Sequence, residues 1–437
     1  MVTAFWLLTA LVLYVYVGYP LLLHVWARST RSIRPEQSRG PRSCHAAGHE
    51  PSVSIVIAAR NEGHRIAARM DNLRQLDYPS RKRQVVIVSD GSTDDTPAVL
   101  ARLQRVVSLQ LPPGGKARAL NEGVALATNE IVVFADMRQG FAPDALRALV
   151  APFRDPRVGA VSGELVLDGE ARDRRQDDDR RAMEDRRGQD DRRRRGRQTP
   201  GKRRGGRRWS SRRTAIESTI SDGVGLYWRY EKQIRRDESA TGSVVGATGA
   251  IYAMRRSLWQ PLPDDTILDD VLTPMRCVMA GYRVVFEERA CAFDRTAADA
   301  NAEGRRKLRT LAGNYQLLWL EPRLLVPWRN PAWLQFVSHK VGRLLVPYAL
   351  PPLLLLSLVL ARRAPIYAAA FTMQSMFYLL AAYGAWLERS RNTPPEPLAI
   401  AVTPVNRLAR IALTFFVMNK SAVAGLVALA TKQKVWR

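Results

Sequence analysis

The sequence predicts an α/β domain with a mostly parallel sheet, flanked by membrane-crossing helices. Apolar runs of strand length alternate with helical segments from Val53 onward, and long stretches almost free of charge stand at both ends of the chain. The chain has 437 residues, 46% of them hydrophobic, and a formal net charge of +26. Such a composition excludes a disordered polar chain and leaves room for one large domain or two ordinary ones. Three cysteines, Cys44, Cys277 and Cys291, are too few and too scattered for a disulfide framework or a zinc site.

The first element is the apolar stretch Thr3 to Ala27, whose only ionisable side chain is His24. At 1.5 Å per helical residue it is long enough to cross a hydrocarbon core of about 30 Å. Its basic flank, Arg28, Arg31 and Arg34, follows the apolar run. This order predicts an uncleaved span over 1–27 with its carboxyl end in the cytoplasm, and a linker over 28–50. At the other end, Val341 to Ala361 and Pro365 to Leu387 read as spans. Leu398 to Ala430 reads either as a third span or as an interfacial helix leading into a shorter one, because Arg407, Arg410, Lys420 and Pro404 interrupt it. The expected layout is a domain over 51–330, a membrane region over 331–430 with two or three spans, and a basic tail over 431–437.

Within the domain, Val53 to Ala59 is a buried-type strand, followed by Asn61, Glu62 and a helical segment to about Leu76. Gln84 to Ser89 is a second strand that ends at Asp90, and Asp94 to Gln104 is helical. Val106 to Leu109 is a third strand. After the Pro112 to Gly115 turn, Lys116 to Ala127 is helical, and Ile131 to Ala135 is a fourth strand that ends at Asp136. Strand and helix in this alternation imply right-handed crossovers, with a ligand site beyond the carboxyl ends of the strands. Any one acid or amide there would serve as a helix cap. Together they form a carboxylate rim of the kind that a nucleoside diphosphate and its divalent cation need.

From Gly169 to Arg213 the chain carries 19 Lys/Arg and 9 Asp/Glu and almost no aliphatic side chains. Such a segment cannot bury enough apolar surface to offset the entropy of ordering it, so it reads as a disordered insert. Only Trp209 is available for base stacking, so no specific nucleic-acid partner is expected; a solvated insert or contact with anionic lipid headgroups remain.

The segments S-I-V-I-A-A-R-N-E, V-S-D-G-S-T-D, G-G-K-A-R-A-L-N and F-A-D-M-R-Q resemble the nucleotide-binding half of family 2 inverting glycosyltransferases, whose fold is GT-A. The likeness resumes after the insert with G-A-T-G-A-I-Y-A-M, L-D-D-V-L-T-P-M-R and R-R-K-L-R-T-L-A-G-N-Y-Q. With its membrane flanks the chain is most similar to the branch of cellulose, chitin, hyaluronan and poly-N-acetylglucosamine synthases. The resemblance implies a nucleotide-sugar donor, with UDP-sugars the first expectation, and a glycan acceptor. It also implies a multi-pass protein of the cell (inner) membrane with its catalytic domain cytoplasmic.

Residue by residue, the resemblance implies that Asn61, Glu62 and Asp90 hold the nucleoside, Lys116 the diphosphate, and Asp136 a Mg²⁺ or Mn²⁺ ion. It makes Asp270 the general base beside Asp269, and Arg309 the cation that steadies the departing diphosphate. Two positions depart from the family. Arg138 stands where a second metal-binding aspartate is the rule, and Thr310 stands in place of a tryptophan. Transfer to a polyprenyl phosphate and a catalytically degenerate scaffold that binds membranes or polyanions are the alternatives.

Deleting residues 169–213 should leave the domain folded, because so polar a segment contributes little to a core. Circular dichroism and thermal unfolding of the shortened protein check this, and loss of the folded domain would make the insert structural.

Overall fold

The structure, a computed structural model, describes residues 1–33, 50–167, 220–294, 300–391 and 403–431. The insert over 169–213, most of the 28–50 linker and the tail over 432–437 lie outside the described residues. One eight-stranded sheet organises the domain, in the order β3-β2-β1-β4-β7-β6-β8-β5. Its strands are β1 (Val53–Ala59), β2 (Arg83–Asp90), β3 (Val107–Leu111), β4 (Ile131–Ala135), β5 (Gly140–Phe141), β6 (Val158–Leu167), β7 (Ile251–Arg255) and β8 (Arg283–Asp294).

β1 forms because Val-Ser-Ile-Val-Ile-Ala-Ala can be buried on both faces, which is what a central parallel strand requires. Ile55 and Ile57 face one core, with the helices Gly63–Arg74 and Ala145–Val150. Val56 faces the other, with the helices Lys116–Ala125 and Asp269–Met279. β1 runs parallel to both β2 and β4, and β2 runs parallel to β3, so the carboxyl ends of β2, β1 and β4 stand side by side.

The second half of the sheet is mixed. β7 is antiparallel to β4 and β6, β6 is parallel to β8, and β5 is antiparallel to β8. Reversal of β7 has a consequence for the rim. Ala135 pairs with Ile251, so the start of β7 lies where β4 ends.

Among the described residues four helices are long and apolar enough to cross a membrane: Val2–Thr30, Trp333–Leu360, Pro365–Ser390 and Pro404–Ala430. They give the chain the make-up of a membrane protein, and the third carboxyl-terminal segment is one continuous helix rather than an interrupted one. The amino-terminal helix runs on to Ile33, past the expected end at Ala27, because Ser29, Thr30 and their neighbours offer no proline or glycine to stop it. Exposed Trp319 and Trp328 precede the helix at Trp333, where amphipathic rings suit a membrane surface.

The last helix also braces the domain. At Gly425 an added Cβ would lie 2.9 Å from the backbone nitrogen of Ala312 and 3.2 Å from the carbonyl carbon of Leu311. The two helix backbones therefore meet there, close to Arg309 in sequence. Gly425→Val should force the helices apart, since backbone cannot yield as a side-chain tip does, at a cost of about 1–3 kcal/mol. A fall in Tm of the detergent-solubilised protein measures this; an unchanged Tm would mean that the contact contributes nothing.

Candidate active site

The rim of β2, β1 and β4 carries four of the expected residues, and the helix Asp269–Met279 carries two more. Lys116 opens the helix Lys116–Ala125 after Gly115, whose φ of +94° is a left-handed conformation that a side chain would strain. This turn aims the lysine back over the sheet. Its Nζ lies 3.5 Å from Asp136 Oδ1 and 3.3 Å from Asp269 Oδ1, joining the end of β4 to the start of the helix 269–279. Burial opposes its charge, but the carboxylates of Asp269, Asp136 and Asp270 outweigh burial and hold the ammonium above the ordinary lysine range.

Asp270 neighbours Asp269 in the first helical turn, where a carboxylate also meets the positive end of the helix dipole. Burial, and after it the charge of Asp269, push its carboxyl up to about 6, against the pull of Lys116, Lys340 and Arg235. Asp269 is 4% exposed and accepts a hydrogen bond of 3.5 Å from the Tyr252 hydroxyl. The two acids therefore differ in surroundings: one is tied to a lysine and a tyrosine, the other is left to titrate near neutrality.

The nucleoside-side residues are arranged less simply. Asn61, at φ 55°, accepts from the Thr93 backbone N–H at 2.8 Å, and its own N–H donates to Ser92 Oγ at 3.1 Å. Its side chain thus braces the loop after β2. Glu62 begins the helix Gly63–Arg74 and accepts from Arg65 at 2.5 Å. Asp90, 4% exposed, accepts from the backbone N–H groups of Gly114 (2.6 Å) and Gly115 (2.9 and 3.0 Å). Its carboxylate holds the turn that aims Lys116.

Arg309 is exposed on the helix Ala300–Leu320, and its charge is felt at Lys116. Gly313 and Gln316 follow it at i+4 and i+7 on the same helix face. Gly313 fits against Leu268, and Gln316 accepts from the Ile267 N–H at 2.9 Å and donates to the Asp265 carbonyl at 3.0 Å. The helix of Arg309 is thereby docked on the loop that leads into Asp269 and Asp270.

Three features of the site escaped the sequence reading. Arg138 is ion-paired to Asp294 Oδ2 at 2.5 Å, an oxygen that also accepts from Gln139 at 3.0 Å. Arg69 lies 3% exposed over the Phe141 ring, with Nε and Nη2 unpartnered; burial lowers its guanidinium to about 10, and the Asp136 charge opposes this. Gly249 backs directly onto the Asp270 carboxylate, since an added Cβ would lie 2.9 Å from Oδ2. Arg138 was marked in sequence as a departure without its partner Asp294, Gly249 stood within G-A-T-G-A-I-Y just before an apolar run, and Arg69 carried no signal.

Among the described residues no three His, Cys, Asp or Glu side chains form a cluster fit for a metal ion. Asp136 offers one carboxylate, and Arg138 is turned to Asp294. This donor set suits an ion held by one or two carboxylates together with phosphate oxygens and water, and does not suit an all-protein cage.

Residues 54–220 match the family described as glycosyl transferase family 2. A beta-monoglucosyldiacylglycerol synthase of Synechocystis sp. is 37% identical over 128 residues, 28% of this chain and 27% of that protein. A poly-beta-1,6-N-acetyl-D-glucosamine synthase of Staphylococcus epidermidis is 30% identical over 117 residues, 25% of this chain and 28% of that one. The alignments thus span just over a quarter of the length of these curated relatives. Among solved structures, a mannosyltransferase from Pyrobaculum calidifontis in complex with GDP-Man and Mn²⁺ superimposes with a TM-score of 0.59 at 21% identity, over 98% of this chain and 99% of that one. The GT-A expectation for the fold holds.

Gly249→Ala should push the Asp270 carboxylate aside. Its contact is the free end of a side chain, so Tm should scarcely move, while a displacement approaching 1 Å costs up to about 10²-fold in rate. Turnover and Tm of the variant decide; unchanged turnover would show that the Gly249 contact with Asp270 does not matter to it.

Proposed function

On the premise that the chain carries a family 2 glycosyltransferase domain, we propose that this membrane protein moves a sugar, with inversion, from a nucleoside-diphosphate donor to a glycan or lipid acceptor. The observation that carries the reading is the convergence of Asp270, Asp269, Lys116 and Asp136 at the carboxyl ends of the parallel strands. The curated relatives make a glycolipid in one case and a polysaccharide in the other, which supports both acceptor classes.

The donor lies across the rim with its nucleoside over Asn61, Glu62 and Asp90 and its diphosphate toward Lys116 and Asp136. Asp90 acts here partly through the Gly114–Gly115 turn, whose N–H groups it holds. Asp270 takes the proton of the acceptor hydroxyl as that oxygen attacks the anomeric carbon. Its carboxyl near 6 is mostly ionised at neutral pH yet basic enough to share a proton in the transition state. The bond to the diphosphate breaks on the opposite side, and Lys116 and Arg309 offset the charge that develops on the leaving group. A Mg²⁺ or Mn²⁺ ion held through Asp136 and phosphate oxygens would neutralise part of the same charge.

Arg28 in the last turn of the amino-terminal span, and Lys340 and Arg343 in the domain-side part of the span Trp333–Leu360, put positive charge on the side of the domain, which supports a cytoplasmic domain in the cell (inner) membrane. Nucleotide sugars would reach the rim from that side.

Asp270→Asn keeps the shape and any capping role of the residue but removes the base, so turnover should fall about 10²- to 10⁴-fold with donor affinity little changed. Asp136→Asn should instead weaken donor binding and its response to Mg²⁺ or Mn²⁺. In the unaltered protein turnover should fall as pH drops through about 6, where Asp270 takes up its proton. Nucleoside-diphosphate release from a panel of nucleotide sugars measures all of these, and near-normal turnover in Asp270→Asn would remove the base assignment.

A further inference from the structure

Next to Asp270 a second charged cluster sits at the junction of the domain and the apolar helices. A cavity of about 30 Å³ is lined there by Glu231, Arg235, Glu238, His339, Lys340 and the backbone of Val245 to Ala247. The Ala247 N–H donates to the Asp270 carbonyl at 2.7 Å, so the cavity wall is tied directly to the base residue.

The acids of this cluster already have partners. Glu238 accepts from the Tyr19 hydroxyl at 2.9 Å and faces His339 Nδ1 at 2.7 Å, while Glu231 faces His339 Nε2 at 3.1 Å and is ion-paired to Arg343. The two cations are left over. Arg235 donates to Thr248 Oγ1 at 2.7 Å, and neither Arg235 nor Lys340 has an ion pair among the described residues. A guanidinium fork and an ammonium that no carboxylate ion-pairs directly, beside a space for one small group, are the complement of a phosphate.

The cluster's setting identifies the source of that phosphate. Tyr19 belongs to the amino-terminal span, and His339 and Lys340 lie in a π-helical turn, Val337–Val341, within the apolar helix that follows the domain. Such turns frequently occur at functional sites. A second one, Tyr14–Gly18, touches it: Tyr14 Oη lies 2.8 Å from Ser338 Oγ. The cavity thus lies between the helix Ile220–Thr241, the Val245–Ala247 loop and the apolar helix that follows the domain.

We propose that Arg235 and Lys340 hold the phosphodiester of a membrane lipid whose headgroup also carries a free hydroxyl, and that this hydroxyl is the acceptor presented to Asp270. This inference rests on the glycosyltransferase reading and names the acceptor class of that site. The hydroxyl proton passes to Asp270, its oxygen bonds to the anomeric carbon, and the electron pair of the broken carbon–oxygen bond leaves with the nucleoside diphosphate. The phosphodiester itself is unchanged.

The test uses the full chain reconstituted in phosphatidylcholine vesicles that contain either phosphatidylglycerol or diacylglycerol, with soluble glycerol 3-phosphate as a third acceptor. Glycosylated lipid should form preferentially from phosphatidylglycerol. Lys340→Gln and Arg235→Gln should each raise the KM for it about tenfold or more, as loss of a charge-assisted hydrogen bond does, and Lys340→Arg should restore most of the affinity. Equal use of diacylglycerol, glycerol 3-phosphate serving as well as the lipid, or an unmoved KM in both variants would overturn the proposal. Should the Gln variants fail to fold, the acceptor preference of the unaltered protein decides. Failure of the underlying reading looks different: no nucleoside diphosphate would then be released from any donor, whatever the acceptor.

Discussion

Lys116 is the interaction on which the site depends. Its ammonium lies between Asp136, from the first half of the domain, and Asp269, from the second, two carboxylates that would otherwise repel across the rim. The arrangement is prepared from a distance: Asp90 holds the N–H groups of Gly114 and Gly115, Gly115 takes the left-handed conformation, and the helix that follows starts with Lys116 aimed over the sheet. Remove that cation and Asp269 is a buried acid with only the Tyr252 hydroxyl beside it, a costly state that shifts in conformation or protonation would relieve. The same cation opposes the rise in the Asp270 carboxyl. Two neighbouring acids of one helix thereby have different surroundings, one tied to a lysine and a tyrosine and one whose carboxyl is raised by burial and by its neighbour.

The membrane helices are part of this geometry. Tyr19 and His24 of the amino-terminal helix bond to Glu238 and Asp237, and His339 and Arg343 of the later helix bond to Glu238 and Glu231, all on the one helix Ile220–Thr241. Burial would raise the Glu231 carboxyl, yet Arg343 and His339 hold it well below the usual carboxylate range. Buried ion pairs of this kind add little net stability, because desolvation offsets much of their attraction. Their value is geometric: a cluster in which each acid has specific partners fixes the rotation of three helices against one another in a way that apolar contact does not. The carboxyl-terminal helix adds a backbone contact at Gly425, near the helix turn that carries Arg309. Domain and membrane region are therefore one piece around Asp270.

The first half of the sheet was plain in the sequence for a physical reason. Central parallel strands must be apolar on both faces, so Val53–Ala59 and Ile131–Ala135 stand out as uninterrupted runs, and the acids that end them mark the rim. β6 and β8 were not legible, because β6 runs into the charged insert and β8 alternates with Glu287, Glu288 and Arg289 near its middle. Pairings between strands so far apart in sequence leave no local signature. Gly140–Phe141 is too short to have a pattern at all. At the site, Asp270 was singled out by the family resemblance, since a place at the start of a helix suits a cap equally well, whereas the occupation of Asp90 by two backbone N–H groups depends on a turn 24 and 25 residues away.

Arg138 shows how a departure at one position is absorbed by the fold. A second carboxylate beside Asp136 would add to the negative charge of a rim that already gathers Asp269 and Asp270 around one lysine. With arginine there, the guanidinium reaches Asp294 at the end of β8, and Gln139 shares the same oxygen. Asp294 is 4% exposed, so its charge needs such partners to remain buried. The loop after β4 is pinned on its other side by Asn72, which accepts from the Phe141 N–H and donates to the Phe141 carbonyl, with Arg69 stacked on the ring. Asp136 thus leaves a loop held at both ends. Arg138, Asn72 and Arg69 fix the loop after Asp136 through contacts within the protein.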